Sequence, residues 1–565
     1  MSELILHNIG PFIRDSLLIY STPFVAAIVA IGLLWLLIQR PNLVDKEGNP
    51  TPPGPPIRFP FLRRYPERPL FRWAKQYGPI YSVWMGTQIF VVINDAQMAR
   101  DLLVTNGANF SSRWSYFVKN QTILNGGGIT ATRYNDTWRK HRRIGMWLLN
   151  SKAVRSYAEM IDYETHILAR ALYESSKGGQ VAIDPAPHAG RFALKQASLF
   201  RICIWTIPDP ICSTMLSLTF GSRTVTASDP LVLEALRINI EFMRLTGPWT
   251  NMIDFVKILQ WLPTTTRYRA RKLHFDVIAI YGAMMLRTKA RMDAGDDVPD
   301  CLAKTLIECQ ETEQLSWEDM CFIVGAFTIG GVHSVRNQSR ICFAKLKSIK
   351  TSGVIEWFIA LMPSNPSVQA KAHKELDSIV GTLGWPKADD ETKLPYIRAI
   401  VKEVLRMHSP FWMGTPHCSD EDFVYKGYYI PKNSVMILNV YALHHNEERY
   451  PDCWTFNPDR YLGDTLSATE SAKQPNALER DHWAFGAGRR ICPGMEMADN
   501  ELFLALARLL WSFTFHEVPG ETICLDEYEG LSGRTPFPFK VVLKPRHENV
   551  RDIVIEKKEV VKHVV

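Results

Sequence analysis

The chain has 565 residues, 46% of them hydrophobic, so it can bury a large core and is long enough for two or more domains. Its formal net charge of +7 is modest, its basic residues are scattered, and no repeat or low-complexity tract divides it, which argues against nucleic-acid binding and repeat architectures. Its ten cysteines include no C-x-x-C pair, which argues against a zinc ribbon or a thioredoxin-like site.

Residues 16–39 carry no charge, and Leu17 to Ile38 supplies the about 20 residues that a helix needs to cross a bilayer. A buried core helix is the competing reading, but this run is apolar all round, lies near the N-terminus and precedes a basic, proline-rich stretch. A cleaved signal peptide fits less well, because the run is long and no small-x-small site precedes Arg40. Arg40, Lys46, Arg58, Arg63 and Arg64 follow the span while only Arg14 precedes it. The positive-inside rule then puts residues 1–15 in the lumen and the body in the cytosol, as for a single-pass anchor in the endoplasmic reticulum with reduced thiols beyond it. Residues 40–66, with Thr51-Pro52-Pro53-Gly54-Pro55-Pro56, read as a stiff extended linker, and 67–565 as one large body.

That body reads as mostly helical, with short strands at Ile80 to Met85, Ile89 to Ile93, Tyr428 to Ile437 and Phe539 to Leu543. Trp138 and Arg142 lie four apart and share a helix face, presenting an indole N–H and a guanidinium together. Ser316 and Asp319 form a capping pattern before the apolar run Met320 to Ile329, announcing a long buried helix that runs on into Gly330-Gly331-Val332-His333-Ser334. Directly after it, residues 335–350 hold five basic and no acidic side chains, which are costly to bury. Joining Ser334 to Thr351 restores the apolar pattern, so 335–350 reads as a translated, unspliced intron; a surface loop bulging from a broken helix is the alternative. A second stretch, about 197–213, also looks intrusive. Farther on, Glu403 and Arg406 share one face of an apolar helix, and Phe456-Asn457-Pro458-Asp459-Arg460 supplies another arginine.

The most informative segment is Phe485-Gly486-Ala487-Gly488-Arg489-Arg490-Ile491-Cys492-Pro493-Gly494. Cys492 stands in the setting that a haem-thiolate iron requires: Phe485 to keep water from the sulfur, Gly488 and Gly494 for tight turns, and Arg490 to pair with a propionate. Pro493 opens a helical run from Gly494 to Phe513, whose positive end favours the thiolate. An isolated cysteine is usually a small buried hydrophobe, but these neighbours reverse that reading. The pattern F-x-x-G-x-R-x-C-x-G resembles the signature of the cytochrome P450 family, and the resemblance covers essentially everything after the expected anchor.

The resemblance implies a mainly α fold with a small β portion, a single large domain over 67–565 behind the transmembrane helix at 16–39. It implies haem b on the Cys492 thiolate, with Trp138, Arg142, His417, Phe485, Arg490 and Gly494 around it, and Glu403, Arg406 and Arg460 as a structural triad. Gly331, His333 and Ser334 fall on the oxygen-binding groove, where histidine replaces the usual acid and serine the usual threonine; an imidazole and a hydroxyl still pass protons. The implied reaction inserts one atom of dioxygen into a small hydrophobic substrate, a secondary metabolite or xenobiotic, as in fungal biosynthetic enzymes. Electrons come from NADPH through a separate membrane-bound cytochrome reductase, since the chain has no nicotinamide or flavin motif. Pocket candidates are Trp114, Tyr116, Ala326, Gly330, Phe411, Trp412, Leu531 and Ser532; Gly247-Pro248-Trp249 and Trp261 are candidates for membrane contact. A haem-thiolate isomerase or dehydratase that needs no reductase, or a product inactivated by the insertion, are the alternatives.

Overall fold

The computed structural model describes residues 41–56, 65–193, 219–221, 230–247, 251–332, 351–529 and 534–556. Among these, helices dominate and the strands are few and short. The expected span at 16–39 and the insertions at 335–350 and about 197–213 lie outside the described residues. Among the described residues, no helix is long and apolar enough to cross a membrane.

The helix Met495–Ser512 runs through the largest core, and its stretch from Leu502 to Ser512 is buried on every side. Such an all-round apolar sequence can be satisfied only by neighbours on all faces. They are Ala158–Ser175, Thr351–Leu361, Pro366–Ile379 and Pro395–Met407. A second core forms around the long helix Thr265–Asp293, against Pro230–Leu245 and Trp317–Val332. Ser316 begins the last of these as expected, its hydroxyl accepting the Asp319 amide at 3.0 Å. The helices Asp136–Leu149 and Trp317–Val332 come together at Gly145, where a Cβ would stand 2.8 Å from the Phe327 ring.

Four strands form one sheet in the order Ile80–Met85, Gln88–Ile93, Val435–Leu438, His417–Cys418. The first pair is antiparallel with Val83 opposite Phe90, and Phe90 in turn faces Val435 in a parallel pairing. The strand expected over Tyr428 to Ile437 divides into Tyr428–Ile430 and Val435–Leu438, because Asn433 turns the chain with φ +63°. The last expected strand is Val541–Pro545, paired with Phe513–Glu517.

The proline-rich segment is no free spacer. Thr51 and Pro52 are buried, and the Pro52 and Pro53 carbonyls accept from the Ser82 hydroxyl at 2.7 Å and the Ser82 amide at 2.6 Å. Just before it, Val44 bridges Pro50 in a small hairpin, whose Pro50 carbonyl takes the Tyr429 amide at 2.8 Å. The extended prolines keep their carbonyls exposed for bonding, and here a strand uses them.

Candidate functional site

The Cys492 loop is a compact, hydrogen-bonded hairpin. The Gly486 amide donates to the Trp483 carbonyl at 3.0 Å, the Cys492 amide to Phe485 at 2.9 Å and the Ile491 amide to Gly488 at 3.1 Å. Gly486 and Gly488 occupy the left-handed region at φ +76° and +62°, where a side chain is strained. Arg480 clamps the loop from behind, donating to the His482 carbonyl at 2.9 Å and the Gly486 carbonyl at 2.7 Å, with its guanidinium 4.2 Å from the Trp483 ring centroid. Cys492 is half-buried with a free thiol, Phe485 packs against the main core, and Gly494 is the N-cap of Met495–Ser512.

Beside this loop the fold concentrates positive charge. Arg490 is buried and spends its guanidinium on the carbonyls of Ser111 (2.7 Å), Ile129 (3.1 Å) and Thr132 (2.6 Å), lying 4.0 Å from the Trp138 ring centroid. Trp138 donates its indole N–H to Ile129 at 3.1 Å, and Arg142 donates to the Ile491 carbonyl at 2.6 Å. Arg142 is also close enough to the Cys492 sulfur to feel its charge. The His417 Nδ1–H donates to the Phe110 carbonyl at 2.7 Å. Trp138, Arg142, His417 and Arg490 therefore surround one region next to Cys492.

Arg113 joins them, a residue that the sequence reading passed over. It donates to the Thr415 and Pro416 carbonyls at 2.6 and 2.9 Å, while its buried Nε has no hydrogen-bond partner among the described residues. The only signal was its place in Ser112-Arg113-Trp114, directly before the aromatic pocket candidates. Burial, then Arg113 and Arg142, press Arg490 down to about 8; burial, with Arg142 adding to it, takes Arg113 to about 9. Burial, followed by Arg113 and Arg490, holds His417 well below the usual imidazole range. A guanidinium keeps its proton in proteins, so this pressure expresses an unmet demand for negative charge. Among the described residues no carboxylate makes an ion pair with Arg113, Arg142 or Arg490. An anionic group beside a cysteine, such as the two propionates of haem, fits this donor set.

The Glu403 carboxylate takes the Arg406 Nε and Nη2 at 2.7 and 2.8 Å, the Arg460 Nε at 3.1 Å and the Asn457 amide at 2.9 Å. Both Glu403 and Arg406 are wholly buried. Arg406 also donates to the His444 and Cys453 carbonyls at 2.7 and 2.9 Å. These three charges share one hydrogen-bonded unit away from the Arg490 cluster.

Gly330 and Gly331 lie within the helix Trp317–Val332, on which Ala326 is half-buried. His333 and Ser334 lie outside the described residues, as do Pro248, Trp249, Leu531 and Ser532. Trp114 stacks on Phe255 at 5.8 Å and meets Tyr116 edge-on at 4.5 Å. The buried Tyr116 hydroxyl has no hydrogen-bond partner among the described residues, and burial followed by Asp254 raises its pKa. Asp254 accepts the Val118 amide at 2.9 Å and is itself pushed up to about 6 by burial. Phe411 is half-buried. Trp412, expected in a pocket, packs instead against Tyr441 at 4.8 Å and under Arg534 at 4.3 Å, because the turn after the Glu403 helix aims it toward Val440–His444. Trp261 is 85% exposed beside the exposed Ile258 and Leu262.

Known proteins match along nearly the whole chain. The family model described as Cytochrome P450 matches residues 52–543. Cytochrome P450 monooxygenase fogE of Aspergillus ruber is 31% identical over 539 residues, covering 93% of this chain and 91% of its own length. Cytochrome P450 monooxygenase virE of Hypocrea virens is 30% identical over 542 residues, covering 92% and 90%. For polD of Polytolypa hystricis, also a cytochrome P450 monooxygenase, identity is 27% over 551 residues, covering 95% and 97%.

Proposed function

Because the chain belongs to the cytochrome P450 family, we propose that this monooxygenase oxidises a small hydrophobic secondary metabolite or xenobiotic, taking electrons from NADPH through a separate cytochrome reductase. Its cofactor is haem with a cysteine thiolate on the iron. The ligand in this reading is Cys492, and the observation that carries it is the crowd of Arg113, Arg142 and Arg490 next to that cysteine without a carboxylate ion pair among the described residues. When bound, the haem supplies dioxygen activation, with thiolate donation promoting O–O cleavage.

The chain's own residues do the rest. Arg113, Arg142 and Arg490, with Trp138 and His417, would hold the propionates of that haem. Phe485 keeps water from the sulfur, and the Cys492–Phe485 backbone bond holds the cysteine in place. In this reading His333 would pass protons and Ser334 would supply a hydroxyl, in the places of an acid and a threonine. Glu403, Arg406 and Arg460 lock the core beneath the cysteine loop without touching substrate. Residues 16–39 anchor the chain in the endoplasmic reticulum membrane, with the catalytic domain in the cytosol, where it draws apolar substrates from the bilayer. Trp261, Ile258 and Leu262 form an apolar surface suited to touching that bilayer.

Residues 335–350 follow the helix Trp317–Val332 and precede Thr351–Leu361, both apolar. Their five basic side chains fit a retained intron better than a functional loop. The test is the carbon-monoxide difference spectrum of the reduced protein as encoded, of Cys492→Ser and of a chain lacking 335–350. A thiolate-type Soret band lost in Cys492→Ser supports the ligand. A band present only after the deletion makes the encoded chain an inactive splice product, and a band unaffected by Cys492→Ser overturns the assignment.

A further inference from the structure

His444 closes a hydrogen-bonded path between two parts of the molecule already described. It ends the short helix Val440–His444 and is wholly buried. Its Nε2 accepts the Trp483 amide N–H at 2.7 Å, and its Nδ1 faces the Arg406 carbonyl at 2.9 Å. An amide N–H can only donate and a carbonyl can only accept, so the two partners fix the ring as the neutral tautomer with its proton on Nδ1. Arg406 returns a bond, donating Nη1 to the His444 carbonyl at 2.7 Å. Side chain and backbone of these two residues are thus locked in both directions.

Each end of the strap has a reason to be there. The Arg406 carbonyl belongs to the last turn of the helix Pro395–Met407, where carbonyls lack an intrahelical partner. The Trp483 amide opens the turn closed by Gly486, and that turn sets the Phe485 carbonyl that receives the Cys492 amide. From Glu403 the path therefore runs through Arg406, the His444 imidazole, Trp483 and Phe485 to Cys492, with a hydrogen bond or one short backbone step at each link. An apolar side chain at 444 would leave two buried backbone groups unbonded.

We propose that His444 is a positioning residue for the Cys492 thiolate: its imidazole straps the Trp483 amide to the Arg406 carbonyl and makes the cysteine loop as rigid as the Glu403–Arg406 pair behind it. This rests on Cys492 being the iron ligand. It assigns the Glu-Arg unit a route to the metal side of the protein that its own contacts, all distant from Cys492, do not provide.

Two substitutions separate the halves of the strap. In His444→Asn the side-chain amide reaches the Nδ1 position and keeps the donor to Arg406, but nothing accepts the Trp483 N–H. In His444→Gln the amide reaches the Nε2 position and keeps the acceptor. Two readouts are taken on the full-length holoprotein: the stability of the thiolate-type Soret band of the carbon-monoxide complex, and hydrogen exchange at the Trp483 amide. The Asn variant is expected to lose the thiolate band at least about tenfold faster than wild type and to exchange the Trp483 amide at least about tenfold faster, while Gln stays within about twofold on both. An Asn variant with wild-type band stability and protection overturns the inference, as does a Gln variant that behaves like Asn. Should the Asn protein not fold, the Gln variant decides: a retained band with slow exchange supports the strap, and a lost band overturns it. A chain lacking 335–350 that keeps a protected Trp483 amide but shows no thiolate band instead overturns the assignment of Cys492, and the positioning role with it.

Discussion

A Cβ added to Gly488 would stand 2.0 Å from the carbonyl oxygen of Leu103, so no side chain has room there. The same glycine is in the left-handed region at φ +62°, so backbone strain and overlap with a rigid backbone atom act together. Gly488→Ala is expected to cost about 3 kcal/mol, combining a left-handed penalty with an overpacked contact. Haem content per folded protein should fall steeply; a normal haem ratio in purified Gly488→Ala would contradict this.

Removing one partner from a buried charge pair strands the other. Glu403→Ala leaves Arg406 and Arg460 without their carboxylate and the Asn457 amide without its acceptor. The expected loss is about 3–5 kcal/mol of unfolding free energy. Urea unfolding of the haem-loaded protein measures it, and a loss below about 1 kcal/mol would show that the unit is dispensable.

Arg113 can be tested apart from the cysteine. Arg113→Gln keeps a donor for the Thr415 and Pro416 carbonyls but removes the charge. Losing one charged hydrogen bond to a propionate corresponds to about 1.5–3 kcal/mol, a roughly tenfold to hundredfold weaker hold. The rate of haem transfer to an apo-globin scavenger reads this directly, and an unchanged rate would place Arg113 outside the haem contacts.

Asp254 gives a pH signature. Its folded pKa of about 6 lies above the ordinary aspartate value of 3.8, so between these values the folded state binds the proton more tightly than the unfolded one. The resulting stability is fully present below about pH 4 and is lost as pH rises through 6, by roughly 3 kcal/mol. Asp254→Asn cannot titrate and should remove that slope, being more stable than wild type at pH 7 and not at pH 4. Parallel stability curves for the two proteins over this range would rule the effect out.

In the proposed reading His333 takes the place of the family's acid. Returning it to one, as His333→Asp in a chain lacking 335–350, is expected to raise the fraction of NADPH electrons recovered in product. Unchanged coupling across pH 6 to 8 would show that protons reach the site by another route.

How far the sequence could be read depended on how local each interaction is. Cys492, Phe485, Gly488 and Arg490 lie within one decapeptide, and Glu403 and Arg406 within one helical turn, so short windows of sequence, together with the family resemblance, pointed to them. Arg113 finds its acceptors about 300 residues away at Thr415 and Pro416, and His444 binds Arg406 and Trp483 from opposite directions. No window along the chain contains those pairs. For Trp412 the sequence left pocket lining and plain core equally open, because an aromatic after a helix has no periodicity to say which way it faces; the contacts with Tyr441 and Arg534 come from the fold. The proline segment looked like a spacer because extended prolines have the same composition whether water or Ser82 takes their carbonyls.

That last feature changes the mechanics of the tether. Leu43 is already bonded to Thr51 in the hairpin, and Tyr429 pins the hairpin at Pro50. For an anchor ending at Gln39, the slack before the folded body is then only a few residues, on the order of 10 Å fully stretched. If residues 16–39 anchor the chain as proposed, so short a leash would behave less like a rope than like a hinge pin: the body would swivel about the hairpin without drifting away, and the hairpin that Tyr429 pins would stay near the bilayer.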